Sequence, residues 1–402
     1  MEHKPQKNQK KNQKKNQKRN FSIWKKFPML SILLSVLFLL PDQPVYAGAQ
    51  QPSEPTIWEY VDPEVYTGYL EELMPDYEID LKEVLELLIK GKLGQAGNLL
   101  FDGMEQKIAG ELSGMKHLFA ALLTLGILSG VFVHFSDFFK SQQITEISFY
   151  ILYLLLISVL MTAFLEASEI AVLLIEQILL FMKLFLPAYA SIIGAAVGIS
   201  TATSYYQYIL ILSYGIEHLI ETCFLPMIHC YVLLAICNGI WMEERFSLLL
   251  DLMKKLISNS LKLAIGLVTS FGFLQSLLTP VLDSLKNSAW KKTLSMLPGI
   301  GGVADSVAEM VLGTALLLKN SLGIFLLLIL ALLCLIPAVK LLLIACVIKG
   351  SAALAGIVGE KKMISCMNDI GDGSVLLLKA GTASAALFAI VIGIAAYTAR
   401  GM

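Results

Sequence analysis

The chain has 402 residues, 56% hydrophobic and 16% charged, with a mean hydropathy of +0.69. Soluble domains carry about 25% charged residues, so this composition excludes a water-soluble globular fold and points to a membrane protein. The formal net charge of −1 conceals a basic start and an acidic segment after it.

Ten of the 31 Lys and Arg fall in the first 26 residues, where K-N-Q-K occurs three times. Phe27 to Leu40 is an uncharged run of 14 residues, followed by P-D-Q-P-V-Y-A-G-A-Q. A basic start, a short apolar core and a small-residue site predict a secretory signal peptide. Cleavage after Ala47 or Ala49 fits the small-residue rule. An uncleaved anchor is the alternative, although 14 residues is short for a span of about 20. The K-N-Q-K repeat reads as a basic tail drawn to anionic surfaces. A nucleic-acid partner is not expected.

Residues 48–116 hold 14 acids and five bases, a net of −9, whereas residues 117–402 balance at 16 and 16. Retained loops are the positive ones, so 48–116 reads as an acidic extracytoplasmic arm after a 1–47 leader. Within it, Ile79 to Lys90 places Leu81, Val84, Leu85 and Leu88 on one stripe, which predicts an amphipathic helix stopped at Gly91. A second helical pattern runs from about Leu99 to Leu112.

Residues 117–402 read as a polytopic membrane domain. Uncharged runs occur at Leu118–Ser136, Ile147–Leu165, Leu184–Ile216, Thr222–Met242, Leu263–Leu282, Asn320–Val339 (continuing past Lys340 to Ile348) and Ala380–Ala399. Each approaches or exceeds a crossing length. Leu184–Ile216 is long enough to break in two near Gly194, Gly198 and Thr201–Ser204. The fold expected is all-α, with about seven or eight transmembrane helices. Basic residues flank Leu263–Leu282 on both sides, so either that run does not cross or nearby acids such as Asp251 offset one cluster.

S-M-L-P-G-I-G-G, Ser295–Gly302, precedes a helical pattern from Val303 to Leu318. Glycines ahead of a helix suggest a phosphate loop. Here no Lys-Ser/Thr pair follows, and Asp305 and Glu309 occupy the turns that would meet the anion. Sixteen helical residues reach only about 24 Å, which predicts an interfacial or re-entrant helix. Gly299, Gly301, Gly302, Asp305 and Glu309 are therefore hinge or gating candidates.

Charges inside apolar segments are costly and mark candidate functional positions. Glu169, Glu176 and Lys183 are spaced by seven and share a helix face, lining a polar path or lying flat at the headgroups. Glu217, His218 and Glu221, with His229 beyond, lack the H-E-x-x-H order of a zinc site and read as a polar turn. Lys340, three residues after Pro337, snorkels to the interface or lies in a cavity beside a kink. The small-residue patterns at Gly194–Gly198 and from Gly381 fit close helix packing and homo-oligomerisation. Cys223, Cys230 and Cys237 share a helix face and read, like the other three cysteines, as small buried apolar residues. With no nucleophile motif, nucleotide loop or metal box, the expectation is a non-enzyme without cofactor or metal.

P-G-I-G-G at Pro298–Gly302, L-L-L-K-N at Leu316–Asn320 and G-D-G-S-V-L-L-L-K-A-G-T at Gly371–Thr382 resemble the stage III sporulation protein AE family of endospore-forming bacteria. The resemblance covers most of residues 55–400. It implies a permease-like membrane subunit of the channel or secretion complex between mother cell and forespore, in the mother-cell membrane around the forespore. The partners it implies are an ATPase, ring-forming subunits and a forespore-side protein, supplied by other chains, together with the lipid bilayer. A stand-alone ion-coupled secondary transporter and a non-conducting membrane scaffold are the alternative readings.

Overall fold

A computed structural model describes residues 110–111, 113–132, 142–197, 211–212, 215–216, 218–240, 246–294 and 301–398, with the single positions 87 and 95. Side chains of 142–146, 186–197, 271–294, 301–322, 324–325 and 394–398 lie outside that description. The expected signal peptide and nearly all of the acidic arm, with its amphipathic helix, also fall outside it. All the described residues belong to one compact unit, Glu54–Met402.

Every described element is helical. In chain order these are α1 (Ser113–Phe132), α2 (Gln142–Val197), a π turn (Ile220–Phe224), α3 (Leu225–Ile240), α4 (Ser247–Leu294), α5 (Gly301–Ala355) and α6 (Lys361–Thr398). Five stretches among the described residues are long and apolar enough to cross a membrane: Ser113–Phe132, Ile147–Phe185, Ile220–Ile240, Leu326–Ala355 and Lys361–Gly393.

Helix continuity exceeds what the apolar runs suggest. α2 joins Ile147–Leu165 to the following run through Glu166, Glu169, Glu176 and Lys183, and is described as far as Val197. Its 56 residues extend about 84 Å. α5 likewise runs 55 residues without a break, so Val303–Leu318 is its opening part rather than a separate short helix. Neither Lys319–Asn320 nor isolated carboxylates terminate a helix, because none removes a backbone donor or adopts a left-handed cap. Pro337 lies inside α5, where neighbouring helices let a membrane helix absorb a missing N–H. Pro226 has the opposite effect at the start of α3. The widened π turn Ile220–Phe224 comes just before it, where the regular ladder loses a donor.

α6 is the hub and packs on α2, α3, α4 and α5, while α5 also packs on α2. α2, α4 and α6 run one way, and α1, α3 and α5 the other. Tyr153 meets Cys366 and Leu174 meets Gly381, so α2 and α6 are parallel. Tyr153 Oη also donates to the Ile236 carbonyl at 2.8 Å, and Ser168 pairs with His229 at 3.0 Å, so α3 returns antiparallel to α2.

The end of α1, the end of α3, the start of α4 and the α5–α6 turn gather at one end of this bundle. Gly130 lies against the Val358 carbonyl so closely that a Cβ there would overlap it, and Gly126 is as tight against Ala355. Ser129 Oγ donates to the Gly126 carbonyl at 2.6 Å and accepts from the Glu360 N–H at 3.1 Å. Glu360 caps α6, accepting from the N–H groups of Lys362 (2.8 Å) and Met363 (3.0 Å). Nearby, Phe246 N–H donates to Asn238 Oδ1 at 3.0 Å and ties α4 to the end of α3.

Large apolar side chains are exposed along the helices: Leu128 and Phe132 on α1, Ile147, Ile151, Leu165 and Leu173 on α2, Leu233 on α3, Leu252 and Leu263 on α4. Such a contiguous apolar exterior suits lipid contact.

Candidate functional site

The feature that stands out in this apolar bundle is a cluster of charges where α4, α5 and α6 meet. G-D-G-S in α6 sets Asp372 between two glycines, each with a separate steric role. A Cβ on Gly371 would lie 2.6 Å from Lys349 Cγ, so the bare backbone lets the Lys349 stem cross α6. A Cβ on Gly373 would overlap Val232 of α3, with Phe164 of α2 also close. Asp372 therefore sits where α6 is squeezed on both sides.

The Asp372 side chain is 8% exposed, and its two carboxylate oxygens take different partners. Lys254 of α4 approaches Oδ2 at 2.5 Å, and Lys349 of α5 pairs with Oδ1. Both lysines keep more than a third of their side chains exposed, at 39% and 37%. One buried carboxylate thus ties three helices together. Two turns further along α6, Lys379 Nζ donates to Ser258 Oγ of α4 at 3.3 Å. Lys262 lies one turn beyond Ser258 on α4.

An ion at the centre of a membrane helix costs about 3 kcal/mol on insertion scales. It persists there when partnered, and removal of one partner leaves an uncompensated charge. The cluster is a charged junction that can hold the helices in register, bind an anion or shift its pairing as they move.

The residues singled out from sequence fall elsewhere. Lys340 Nζ meets Glu111 Oε1, just ahead of α1, at 2.7 Å. Glu111 and Glu166 line a cavity of about 450 Å³ between the start of α1 and α2, with Ser158 and Thr162 in its wall. Glu169, Glu176 and Lys183 share an exposed face of α2, as their spacing predicts. Among described contacts, these three do not converge with Lys340 or with Asp372.

His218 Nδ1 lies 3.2 Å from Thr222 Oγ1, and Glu221 is exposed in the π turn, while Glu217 lies outside the described residues. The His229 ring nitrogens are taken by the Leu225 carbonyl (2.7 Å) and Ser168 Oγ (3.0 Å), and Phe164 packs edge-on at 5.5 Å. Of the hinge candidates, Gly299 lies outside the described residues. Gly301 and Gly302 form the first turn of α5, and Asp305 and Glu309 follow in the same helix, with side chains outside the description.

The burial expected of the cysteines holds for Cys334 and Cys366 and fails for Cys223, Cys230, Cys237 and Cys346, which are exposed. The first three are exposed on the π turn (Cys223) and the outer side of α3 (Cys230 and Cys237). In lipid an apolar face can point outward, so apolar character alone does not place a residue inside. The Gly381 pattern behaves as expected of a packing motif. A Cβ there would come within 2.8 Å of Leu174, and Ala383, Ala385 and Ala386 are buried.

Asp372 escaped the sequence reading. M-N-D-I-G-D-G-S resembles a polar link, and the three charges come from positions more than 20 residues apart. A carboxylate bracketed by glycines, together with Lys349 after an uncharged run, was the available signal.

The profile of the family described as stage III sporulation protein AE matches residues 79–399. Stage III sporulation protein AE of Bacillus subtilis (strain 168) is 23% identical over 264 residues, covering 65% of this chain and 66% of that protein. The match thus spans just under two thirds of the relative's length. No solved structure matches the chain. Since the profile takes in every helix from α1 to α6, the charged junction included, the chain belongs to the stage III sporulation protein AE family.

Proposed function

We propose that this protein is the permease-like membrane subunit of the complex that connects mother cell and forespore, and that it contributes a gated polar path without covalent chemistry. Family membership supports a place in a sporulation assembly, and five apolar helices support a seat in the membrane. The observation that carries the polar-path reading is the Asp372–Lys254–Lys349 junction inside an apolar bundle. A purely structural core would replace such charges with apolar side chains at no loss of stability. On this reading the energy comes from a separate ATPase, ring-forming subunits and a forespore-side protein complete the conduit, and the protein sits in the outer forespore membrane.

The test is deletion of the gene in its own host, with timed sporulation and measurement of forespore volume and late forespore protein synthesis. Arrest after engulfment, rescued by wild type but not by Asp372→Asn inserted at normal level, is the expected result. Replacement of Gly301 and Gly302 by valine tests the hinge in the same assay. Rescue by both variants overturns the gated path and leaves a scaffold. A buried ion cluster also suits a stand-alone ion-coupled transporter. That reading requires solute uptake by the purified protein alone and normal spores in the deletion strain.

A further inference from the structure

We propose that the cleft between α4 and α5, floored by α6, binds a phosphate-class anion, with Lys254, Lys262, Lys349 and Lys379 as its cationic walls and Ser258 as a neutral donor.

The argument begins with charge balance. Lys254 and Lys349 both converge on Asp372, and Lys379 reaches only the Ser258 hydroxyl. Neither Lys262 nor Lys379 forms an ion pair with a carboxylate among the described residues. Asp251 is spent on the neighbouring Lys255 at 2.6 Å. With Asp369 one turn before Asp372 on α6, the four lysines Lys254, Lys262, Lys349 and Lys379 stand against two carboxylates, a net of +2, beside exposed apolar side chains of α4. Water does not screen such an excess at membrane depth as it would at a soluble surface.

Architecture supplies the opening. α4 and α5 both pack on α6, but among the described residues they are not a substantial packing pair themselves. Their lysines lean inward to the floor while more than a third of each side chain stays accessible, so the carboxylate is covered and its lysine partners are only partly so. Lys254 and Lys262 are eight residues apart on α4, about 12 Å along the axis. That spread is within the combined reach of two flexible lysine stems around one phosphate group, for which lysine acts as a point-charge partner.

The adjoining face of α4 carries Leu252, Leu256, Leu263 and Leu267, all exposed. Basic pockets between helices beside an apolar face take anionic lipid headgroups. The phosphate of a lipid and free inorganic phosphate share the chemistry, and the leucine row favours the lipid. The inference does not rest on the proposed conduit, because it is read on the isolated protein.

The test uses the purified full chain in nonionic detergent. Native mass spectrometry counts retained phosphatidylglycerol against phosphatidylcholine, and thermal stability is followed with inorganic phosphate against chloride at matched ionic strength. Selective retention of phosphatidylglycerol without a phosphate effect assigns a lipid headgroup; stabilisation by inorganic phosphate shows that the anion alone suffices. Either result supports the site. The double variant Lys262→Gln/Lys379→Gln is expected to weaken binding about thirtyfold, two surface-type lysines being lost. Lys262→Gln alone, at an exposed position outside the triad, is expected to weaken it about fivefold and serves if the double variant fails to fold. No preference for either anion in the wild type, or unchanged binding in Lys262→Gln, overturns the site.

Discussion

At Asp372 the choice of residue and its surroundings explain each other. A carboxylate with two acceptor oxygens satisfies two lysines from different helices, and the flanking glycines let those helices come near enough. Asp372→Asn strips the charge and leaves both ammonium groups facing each other. The expected cost is on the order of 3 kcal/mol, read as a lower Tm of the detergent-purified protein. The triple change Asp372→Leu/Lys254→Met/Lys349→Met is expected to recover most of that stability while still failing to rescue sporulation. Equal Tm values for wild type and Asp372→Asn would remove the junction from the account of stability. Gly371→Val is expected to behave like Lys349→Met in the same measurement, because its side chain displaces the lysine stem. Lys340 was legible from sequence because it interrupts a long apolar run, whereas Asp372 was not, since its meaning depends on lysines 23 and 118 positions away.

Among the elements, α1 shows most clearly how packing follows from small residues. Gly126, Ser129 and Gly130 recur at one-turn spacing and make a notch into which the α5–α6 turn fits. Gly130→Ala drives a methyl into a backbone carbonyl that has no rotamer to escape by. We expect about 1–3 kcal/mol of destabilisation, with faster proteolysis at the α5–α6 turn. At the other end of α1 the Glu111–Lys340 pair is about one-third exposed on both sides. Breaking it costs about 1 kcal/mol or less, and the swap Glu111→Lys/Lys340→Glu is expected to restore the Tm lost in either single change. Failure of the swap would mean that the cavity beside Glu166, and not the pair, sets those positions. Apolar runs were readable as helices, but their joins were not. The charges at Glu166 and at Lys319–Asn320 look like boundaries in hydropathy, yet a helix ends for backbone reasons, and none operates there.

For the whole molecule, the outer surface decides what the protein meets. Exposed leucines and isoleucines recur along the helices, and exposed cysteines lie in the π turn (Cys223) and on α3 (Cys230 and Cys237). In a bilayer, a membrane-impermeant charged maleimide is expected to label Cys223, beside the exposed Glu221, and to spare Cys230 and Cys237. Denaturation in sodium dodecyl sulfate then opens all six thiols. Labelling of Cys230 and Cys237 at the rate of Cys223 would place that side of α3 in water. Composition alone was enough to foresee a helical membrane protein. Which apolar faces look outward was not foreseeable, because lipid and protein interior reward the same side chains.

The hydrogen bond between Ser129 and Glu360 spans 231 positions. During synthesis at about 5–20 residues per second, the notch on α1 waits roughly 10 to 50 s for the turn that fills it. For that interval a glycine-lined groove stands open in the membrane beside a growing chain. The α5–α6 hairpin, made later, therefore closes that groove, and a ribosome that stops before it releases a protein whose α1 is still marked as incomplete.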